Sequence, residues 1–321
     1  MSRLCRIKAG VTMGDPSGIG PAITVKALNK LADRADFTLI GDSRILEKIK
    51  GFKSLLKSKV KVISLDNVKV KGFKFGQVRG EYGKASFEYL EKSLELLRNK
   101  DIECLITSPV SKDAITRAGI KFSGHTEYFI NRTGARHAQM MLLNRYLKFT
   151  LATRHISLNR IAKVIDKELI YRTALVTYNS LRMIFAIPTP KIAICGLNPH
   201  ASDNALFGIE EKNIITPALN KLKKKIKFIF GPLPADTAIQ KAFKGEFNAL
   251  IAMYHDQALI PLKLTGYDSG VNITLGLNFI RTSPLHGTAF DIAVDYKSAN
   301  PNSLISAINL ALKCALNQRK V

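Results

Sequence analysis

Short apolar runs, each followed by a polar cluster, recur along this chain. Six of them are CRIKAGVTM (5–13), DFTLI (36–40), ECLIT (103–107), LKFTLAT (147–153), KIAIC (191–195) and NALIAMY (248–254). Apolar runs of this length that are bounded by turn residues are typical of buried β-strands. The pattern therefore predicts at least six core strands.

The segments between these runs have helical spacing. Apolar side chains recur on one face of residues 84–98 and 167–185, and residues 301–321 have the spacing of a closing helix. Strands that alternate with helices indicate a parallel α/β sheet covered on both faces. In such sheets ligands bind beyond the carboxyl ends of the strands, so the polar clusters are expected at one edge.

Composition narrows the class of protein. The chain has 321 residues, of which 46% are hydrophobic, enough for one large domain or two moderate ones. The net charge of +24 comes mostly from lysines spread along the chain. The densest run, LKKKIK (222–227), is interpreted as a solvated helix end, and no interleaved aromatic residues indicate a nucleic-acid partner. A basic surface would favour the approach of a small anionic substrate.

The sequence indicates a cytoplasmic protein without a membrane partner. No apolar run approaches the length of a membrane span, and no sustained apolar stretch follows the basic N-terminal residues. The four cysteines lie far apart and form no CxxC pair, which is typical of reduced thiols.

Three of the six histidines directly follow predicted strands. These are His155, His200 and His255. Histidines brought together at strand ends can bind one divalent metal through imidazole nitrogen. The alternative is that each one is a hydrogen-bonded histidine near a turn, and the sequence pattern leaves both interpretations open. His137 has no such context and is interpreted as structural.

The stretch GDPSGIGP (14–21) is a glycine- and proline-rich turn between a strand and a helix. Gly18 and Gly20 permit close approach of the backbone to a ligand. The stretch has no Gly-Lys-Ser/Thr, and its glycines do not match GxGxxG, so it is neither a P-loop nor an ordinary dinucleotide fingerprint. A tight structural turn is the favoured interpretation.

Several further side chains are candidates for binding an anion. Lys263, Asn272 and Arg281 could bind a phosphate or carboxylate together, with Arg281 offering a bidentate fork. The alternative is an ordinary surface lysine and arginine.

Asp236 follows two prolines, where a helix cap is an equally simple interpretation.

Taken as an ordered set, the motifs resemble the 4-hydroxythreonine-4-phosphate dehydrogenase family of pyridoxine 5′-phosphate biosynthesis. The matching stretches run from residue 14 to residue 293: GDPSGIGP, TSPVSK, GHTEYF, TRHISL, GLNPHA, GPLPADT, YHDQALIPLK and GVNITLGLNFIRTSPLHGTAFDIA. The resemblance implies the α/β fold of isocitrate and isopropylmalate dehydrogenases, with two lobes around a central cleft. The first lobe would comprise residues 1–124 and 282–321, and the second residues 125–281.

The resemblance also implies a site and its chemistry. One divalent metal (zinc, magnesium or cobalt) would be bound by His155, His200 and His255, in an active site at the interface of a homodimer. The implied substrate contacts are His125, Thr126, Lys263, Asn272 and Arg281. NAD or NADP would lie near the residues that match the family's glycine turn and cofactor loop, namely Gly18, Gly20, His286, Gly287 and Thr288.

The implied reaction is oxidation of 4-phosphooxy-L-threonine at C3, followed by loss of CO2. Asp256, next to His255, is expected either to orient an imidazole, to transfer a proton or to cap a helix, and Asp236 is a further candidate for a catalytic or supporting role. The chain departs from the family's pattern at Ser202-Asp203, where Gly-Glu is common, and at Leu285, where aspartate is common.

Three other functions are compatible with the sequence. The nearest is a dehydrogenase of the same family acting on 4-phospho-D-threonate or a related hydroxy acid. A metal- or phosphate-binding protein without turnover and a basic nucleic-acid binder are the alternatives from other classes, but neither calls for histidines placed after strands.

Overall fold

A computed structural model describes residues 6–135 and 137–320. Cys5 lies outside them. The strands are β1 (Lys8–Thr12), β2 (Asp36–Gly41), β3 (Lys61–Ser64), β4 (Cys104–Thr107), β5 (Gln139–Leu143), β6 (Lys148–Leu151), β7 (Ile192–Cys195), β8 (Ile229–Leu233), β9 (Ala249–Ala252), β10 (Val271–Leu275) and β11 (Ile280–Pro284). Each of the six apolar runs singled out in the sequence overlaps one of these strands.

The α-helices occupy most of the segments between strands. They are α1 (Gly20–Leu31), α2 (Ser43–Leu46), α3 (Phe52–Leu56), α4 (Gly80–Arg98), α5 (Lys112–Arg117), α6 (His125–Thr133), α7 (Leu158–Val164), α8 (Lys167–Met183), α9 (Thr216–Lys223), α10 (Ala235–Phe243), α11 (His255–Gly266), α12 (Phe290–Ala293) and α13 (Asn302–Gln318). The predicted helices over 84–98, 167–185 and 301–321 correspond to α4, α8 and α13. No helix among the described residues is long and apolar enough to cross a membrane.

The chain forms two compact units. The first contains the residues up to Gly134 together with Leu277–Arg319, and the second contains Ala135–Gly276. The expected division at 124/125 and 281/282 therefore differs from the observed one by up to ten residues. Helix α6 belongs to the first unit because its Phe129 is fully buried and packs against Phe279, with ring centroids 5.8 Å apart.

In the first unit, five parallel strands lie in the order β3-β2-β1-β4-β11. Helix α13 packs against β11 and β4, and its buried face carries Leu304, Ile308 and Ala311. Parallel pairing places the carboxyl ends of all five strands at one edge. The glycine turn after β1, the loop after β4 and the loop after β11 therefore begin at the same edge.

The second unit contains the order β10-β5-β6-β9-β7-β8. Strands β6, β9, β7 and β8 are parallel, but β5 is antiparallel to both β10 and β6. The prediction of a wholly parallel sheet was wrong at this point. Strands β5 and β6 are joined by four residues, a connection that suits a hairpin but is too short for a crossover helix.

Candidate functional site

The three candidate metal ligands follow three neighbouring strands of the second unit. His155 follows β6, His200 follows β7 and His255 follows β9. Because β6, β9 and β7 are adjacent and parallel, all three histidines lie beyond the same edge of the sheet. The apolar runs in the sequence are these buried strands, and the polar clusters after them are the loops at the carboxyl ends of the strands.

His155 and His255 lie close together. Their ring centroids are 5.4 Å apart. His255 is the first residue of α11, and its Nδ1 is 2.6 Å from Oδ1 of Asp256. A carboxylate on one ring nitrogen fixes the orientation of an imidazole and leaves the other nitrogen for a metal. This geometry supports the interpretation of Asp256 as a residue that orients His255.

His200 lies on an unusual stretch of backbone. Six consecutive non-glycine residues, 200–205, have positive φ, beginning with φ 53° at His200. L-residues in the left-handed region are disfavoured by roughly 1–2 kcal/mol each. Such strain is found mostly where surrounding structure holds a functional residue in place.

Buried Glu211 fixes the start of this strained segment. It is 4% exposed and accepts hydrogen bonds from the backbone N–H groups of Leu197 and Asn198 at 2.7 and 2.8 Å. The Asn198 side chain donates to the same carboxylate at 2.8 Å. Farther along, the Ser202 hydroxyl donates to the Gly208 carbonyl. The backbone on either side of His200 is thereby tied down.

His200 does not form a metal-binding cluster with His155 and His255 within one chain. The nearest ring to His200 that the structure shows is Phe207, with centroids 6.4 Å apart. Among residues 6–135 and 137–320, no three or more His, Cys, Asp or Glu side chains form a group that could hold a metal ion. One chain therefore pairs His155 with His255 and holds His200 apart from them.

Arg281 is a buried cation in the first unit. It lies on β11, is 1% exposed, and donates from Nε and Nη2 to the Thr107 hydroxyl at 3.2 and 2.6 Å. Burial lowers the pKa of Arg281 to about 9, and the carboxylate of Glu127 acts in the opposite direction. The interpretation of Arg281 as an ordinary surface arginine is therefore wrong.

His125 and Thr126 begin α6, in the same unit as Arg281. Burial, followed by the positive charges of Arg281 and Lys112, lowers the pKa of His125 well below its usual value. Its Nε2 is buried and has no hydrogen-bond partner among the described residues. His125 is thus a neutral imidazole with one buried nitrogen left to bind a ligand, and the Thr126 beside it is 2% exposed. Lys112, which the sequence analysis did not select, adds positive charge here.

The remaining candidates for substrate contact lie in the second unit. Lys263 is exposed on α11, and Asn272 lies on β10 with a buried amide oxygen that has no partner within the described part of the chain. Asp236 is exposed in the first turn of α10, where its carboxylate accepts from the Thr237 N–H at 2.7 Å. Asp236 therefore makes the kind of backbone contact that acidic residues commonly make in the first turn of a helix.

The glycine turn is packed against protein backbone. A Cβ at Gly18 would lie 2.9 Å from the Thr288 carbonyl oxygen, and one at Gly20 would lie 2.2 Å from that of Met13. The Ile19 N–H donates to the same Thr288 carbonyl at 2.9 Å. Both glycines are therefore required by close packing within the first unit, as a structural turn demands.

The loop after β11 has a different character. A Cβ at Gly287 would meet open space, and the neighbouring His286 has a buried Nε2 with no partner in the described residues. Burial lowers the pKa of His286, so this ring is neutral. An open glycine next to an unpartnered imidazole nitrogen fits the approach of a ligand from solvent.

Asp15 was missed by the sequence analysis. It lies in the glycine turn, is fully buried, and accepts from the Ser17 N–H through Oδ1 at 2.9 Å. Its Oδ2 has no partner among the described residues. Burial raises its pKa to about 7. An acidic residue inside an otherwise apolar and glycine-rich turn was the available signal.

Comparison with known proteins identifies the family. The family model described as "Pyridoxal phosphate biosynthetic protein PdxA" matches residues 20–311. The chain belongs to the PdxA family. It is 42% identical to a 4-hydroxythreonine-4-phosphate dehydrogenase of Sulfurihydrogenibium sp. (strain YO3AOP1), with 95% of this chain and 98% of the relative covered. It is 38% identical to a D-threonate 4-phosphate dehydrogenase of Cupriavidus necator, with 95% and 96% covered.

Solved structures agree with this assignment. The crystal structure of 4-hydroxythreonine-4-phosphate dehydrogenase from Klebsiella pneumoniae matches with a TM-score of 0.84 and 33% identity, covering 97% of this chain and 100% of that one. Isocitrate dehydrogenase from Methylococcus capsulatus matches with a TM-score of 0.52 at 14% identity, covering 98% and 87%. The second match concerns the fold alone, and it confirms the predicted isocitrate dehydrogenase-like α/β class.

Proposed function

We propose that this protein is an NAD(P)- and divalent-metal-dependent dehydrogenase that oxidises 4-phosphooxy-L-threonine at C3. The product, 2-amino-3-oxo-4-phosphooxybutanoate, loses CO2 to give 3-amino-2-oxopropyl phosphate for pyridoxine 5′-phosphate synthesis. Within the chain, the observation that carries this proposal is the placement of three histidines after three adjacent parallel strands. Membership of the PdxA family supports the substrate class.

His155, His200 and His255 would hold the metal. The paired rings of His155 and His255, and the Asp256 carboxylate on Nδ1 of His255, fit a site built from neutral imidazoles. Such ligands suit zinc or cobalt, and magnesium is the alternative. The bound metal would polarise the C3 hydroxyl, and the nicotinamide would accept the hydride. Asp256 would keep His255 in the tautomer that binds metal, and Asp236 has only a supporting role.

The substrate would be bound by two kinds of side chain, positively charged ones and neutral hydrogen-bonding ones. Arg281 supplies a cation in a buried setting, where an ion pair is strong. His125 supplies a neutral ring nitrogen, and Thr126 is the neighbouring hydroxyl. Lys263 is an exposed cation, and the unpartnered amide oxygen of Asn272 suits the substrate's ammonium or hydroxyl group.

NAD or NADP would contact the loop after β11. His286 and Gly287 fit this role because one has an unpartnered buried nitrogen and the other faces open space. Thr288 would act by fixing the loop to the glycine turn. Gly18 and Gly20 would contribute by allowing that turn to pack closely, rather than by touching the cofactor.

A homodimer, in which each active site draws on both chains, would complete the metal site. The second unit supports this through exposed apolar side chains close to its candidate ligands in sequence. Ile260, Leu264 and Tyr267 follow His255 and are 59%, 82% and 63% exposed, and Leu206, Phe207 and Ile209 follow His200. Apolar surface of this kind is typical of protein interfaces. The protein would work in the cytoplasm.

A second candidate substrate is 4-phospho-D-threonate. The 38% identity to a D-threonate 4-phosphate dehydrogenase favours considering it. The two substrates share the 4-phosphate and the C3 hydroxyl that is oxidised, but at C2 one carries an amino group where the other has a hydroxyl. The residues proposed for metal and phosphate binding serve either reaction.

The test is a substrate and cofactor matrix with the purified protein. Each phosphorylated substrate is combined with NAD or NADP and with zinc, cobalt or magnesium, and nicotinamide reduction is followed. The expected result is metal-dependent turnover of 4-phosphooxy-L-threonine. Turnover of the D-threonate compound alone would replace the proposed substrate, and metal binding without turnover of either would refute the enzymatic proposal.

A further inference from the structure

The guanidinium of Arg281 needs support because it is buried. A charged group removed from water is costly unless hydrogen bonds and opposite charges compensate. Arg281 is the largest fully buried side chain of the structure. Its surroundings include the carboxylate of Glu127 and the ring of Phe129, whose centroid is 5.9 Å from the guanidinium carbon.

Thr107 supplies a directional contact. It ends β4 and is fully buried. In the parallel pairing of β4 with β11, Arg281 lies opposite Leu105. Side chains two residues apart on a strand project from the same face, so the Thr107 hydroxyl lies on the same face as the Arg281 side chain. The register of the two strands therefore brings this hydroxyl to the guanidinium.

The contact constrains the plane of the guanidinium. Nε and Nη2, which are neighbours on one edge of the group, both donate to the single oxygen of Thr107 at 3.2 and 2.6 Å. A guanidinium has five N–H donors in a fixed fork, so anchoring one edge determines where the others point. A hydroxyl has two acceptor sites, and Arg281 occupies both.

We propose that Thr107 is a positioning residue that aims the Arg281 guanidinium at the anionic group of the substrate. This inference rests on the proposed function, in which Arg281 binds a phosphate or carboxylate. Thr107 itself need not touch the substrate. Its loss is expected to weaken substrate binding by misaligning a fork whose strength depends on geometry, while the chemical step is less affected.

A graded series of substitutions tests the role of the oxygen acceptor. Thr107→Ser keeps the hydroxyl, Thr107→Cys offers a weaker acceptor, and Thr107→Val keeps the shape but removes the acceptor. Thr282→Val is the matched control, because Thr282 is a fully buried threonine on β11 whose hydroxyl donates to the Ala307 carbonyl at 2.9 Å. Each purified full-length variant is measured for kcat, for KM, and for the Kd of the substrate with metal but without nicotinamide.

The expected order of KM and Kd is wild type and Ser lowest, Cys intermediate and Val highest. Loss of the charge-assisted contact predicts roughly a ten- to hundredfold rise for Thr107→Val. The value of kcat should change much less, and Thr282→Val should leave KM unchanged. If Thr107→Val does not fold, the Ser and Cys variants still decide the question, since Cys should lie above Ser.

Three outcomes would overturn the inference. Unchanged KM and Kd in Thr107→Val or Thr107→Cys, with an active wild type, would refute the role of Thr107 but not the proposed function. An equal rise in Thr282→Val would assign the effect to general destabilisation. A wild type that neither turns over nor binds either phosphorylated substrate would refute the proposed function, and the inference with it.

Discussion

The two units present their candidate residues in opposite ways. In the first unit, Arg281 and Thr126 are almost wholly buried, and Arg281 is hydrogen-bonded to the end of a core strand. In the second, His155 and His200 are exposed, and one of three proposed ligands stands apart from the other two. The proposed anion-binding group of the first unit is thus already held in place by hydrogen bonds, whereas the proposed metal ligands of the second unit form no metal-holding group among the described residues of one chain.

Surface apolar residues follow the same division. Most of the large apolar side chains that are exposed in the described structure belong to the second unit, among them Leu158, Leu206, Phe207, Ile260, Leu264 and Tyr267. A folded unit that exposes ligands and apolar surface together is suited to completion by another molecule. Under the proposed function, burial would hold in place the group that binds the substrate's charge, while metal binding would depend on association of two chains.

The largest expected effect comes from His200. Substitution His200→Ala should abolish metal-dependent turnover, a loss of more than about a thousandfold, because it removes a proposed metal ligand. Thermal unfolding should be almost unchanged, since the side chain is exposed. His137→Ala, at another exposed histidine of the second unit, is the control and should retain activity. A fully active His200→Ala protein, or activity that survives chelation, would contradict the three-histidine site.

The next effect concerns Asp15 in the first unit. Burial raises its pKa in the folded protein to about 7, from the value of 3.8 that an exposed aspartate has in the unfolded chain. Because the folded-state value is raised, its contribution to stability is complete below about pH 4 and is lost as pH rises toward 7. At roughly 1.4 kcal/mol per pKa unit, the loss is about 4 kcal/mol.

Chemical denaturation at several pH values measures this effect. Asp15→Asn keeps an acceptor for the Ser17 N–H but cannot ionise, so its stability should not fall between pH 4 and pH 7 through this group. Asp101→Asn, at an exposed acid of the same unit, should follow the wild-type profile. A wild-type and an Asp15→Asn profile that run parallel would show that Asp15 does not titrate in this range.

A third prediction addresses the exposed apolar surface of the second unit. Leu264→Lys places a charge on the most exposed of these side chains, at 82% exposure, and should weaken self-association at least about tenfold. Turnover at low protein concentration should fall with it. Leu56→Lys, at 52% exposure in the first unit, should change neither. Sedimentation of both variants decides, and a Leu264→Lys protein that stays dimeric would place the interface elsewhere.

The smallest expected effect is a gain in stability at Ala205. This residue has φ 76°, a conformation that glycine adopts without strain. Ala205→Gly should stabilise the protein by about 1 kcal/mol, after the greater flexibility of glycine in the unfolded chain is subtracted. Urea unfolding provides the measurement, with Ala118→Gly, at a residue of negative φ, as the destabilised control. Destabilisation by Ala205→Gly would mean that this stretch is not strained.

The sequence predicted those features that depend on local pattern. Apolar runs identified six core strands, and the residues after them included His155, His200 and His255. Strand β5 was missed, although Asn144 and Arg145 follow it, because its antiparallel pairing with β6 depends on a four-residue loop that was not interpreted as a hairpin turn. The burial of Arg281 could not be predicted, since it follows from the register of β11 against β4.

Two other features lay beyond sequence patterns for physical reasons. The left-handed run at 200–205 contains no glycine; Asp203 and Asn204 are types that tolerate positive φ, but they do not by themselves predict six such residues in a row. The pairing of Thr107 with Arg281 joins residues 174 positions apart, and only the assembled sheet makes them neighbours. A polar residue at the end of a buried strand, as in ECLIT, was the sole signal for Thr107.

The division of the first unit into two stretches of chain has a consequence for synthesis. Ala135–Gly276 is continuous and can begin to fold while the ribosome is still adding residues. The first unit cannot be completed until Leu277–Arg319 has emerged, because β11 and α13 belong to it. Arg281, the buried cation on β11, is therefore added to the first unit last. We expect the nascent chain to hold β4 as an open edge until that moment, which makes this strand the most vulnerable to aggregation during translation.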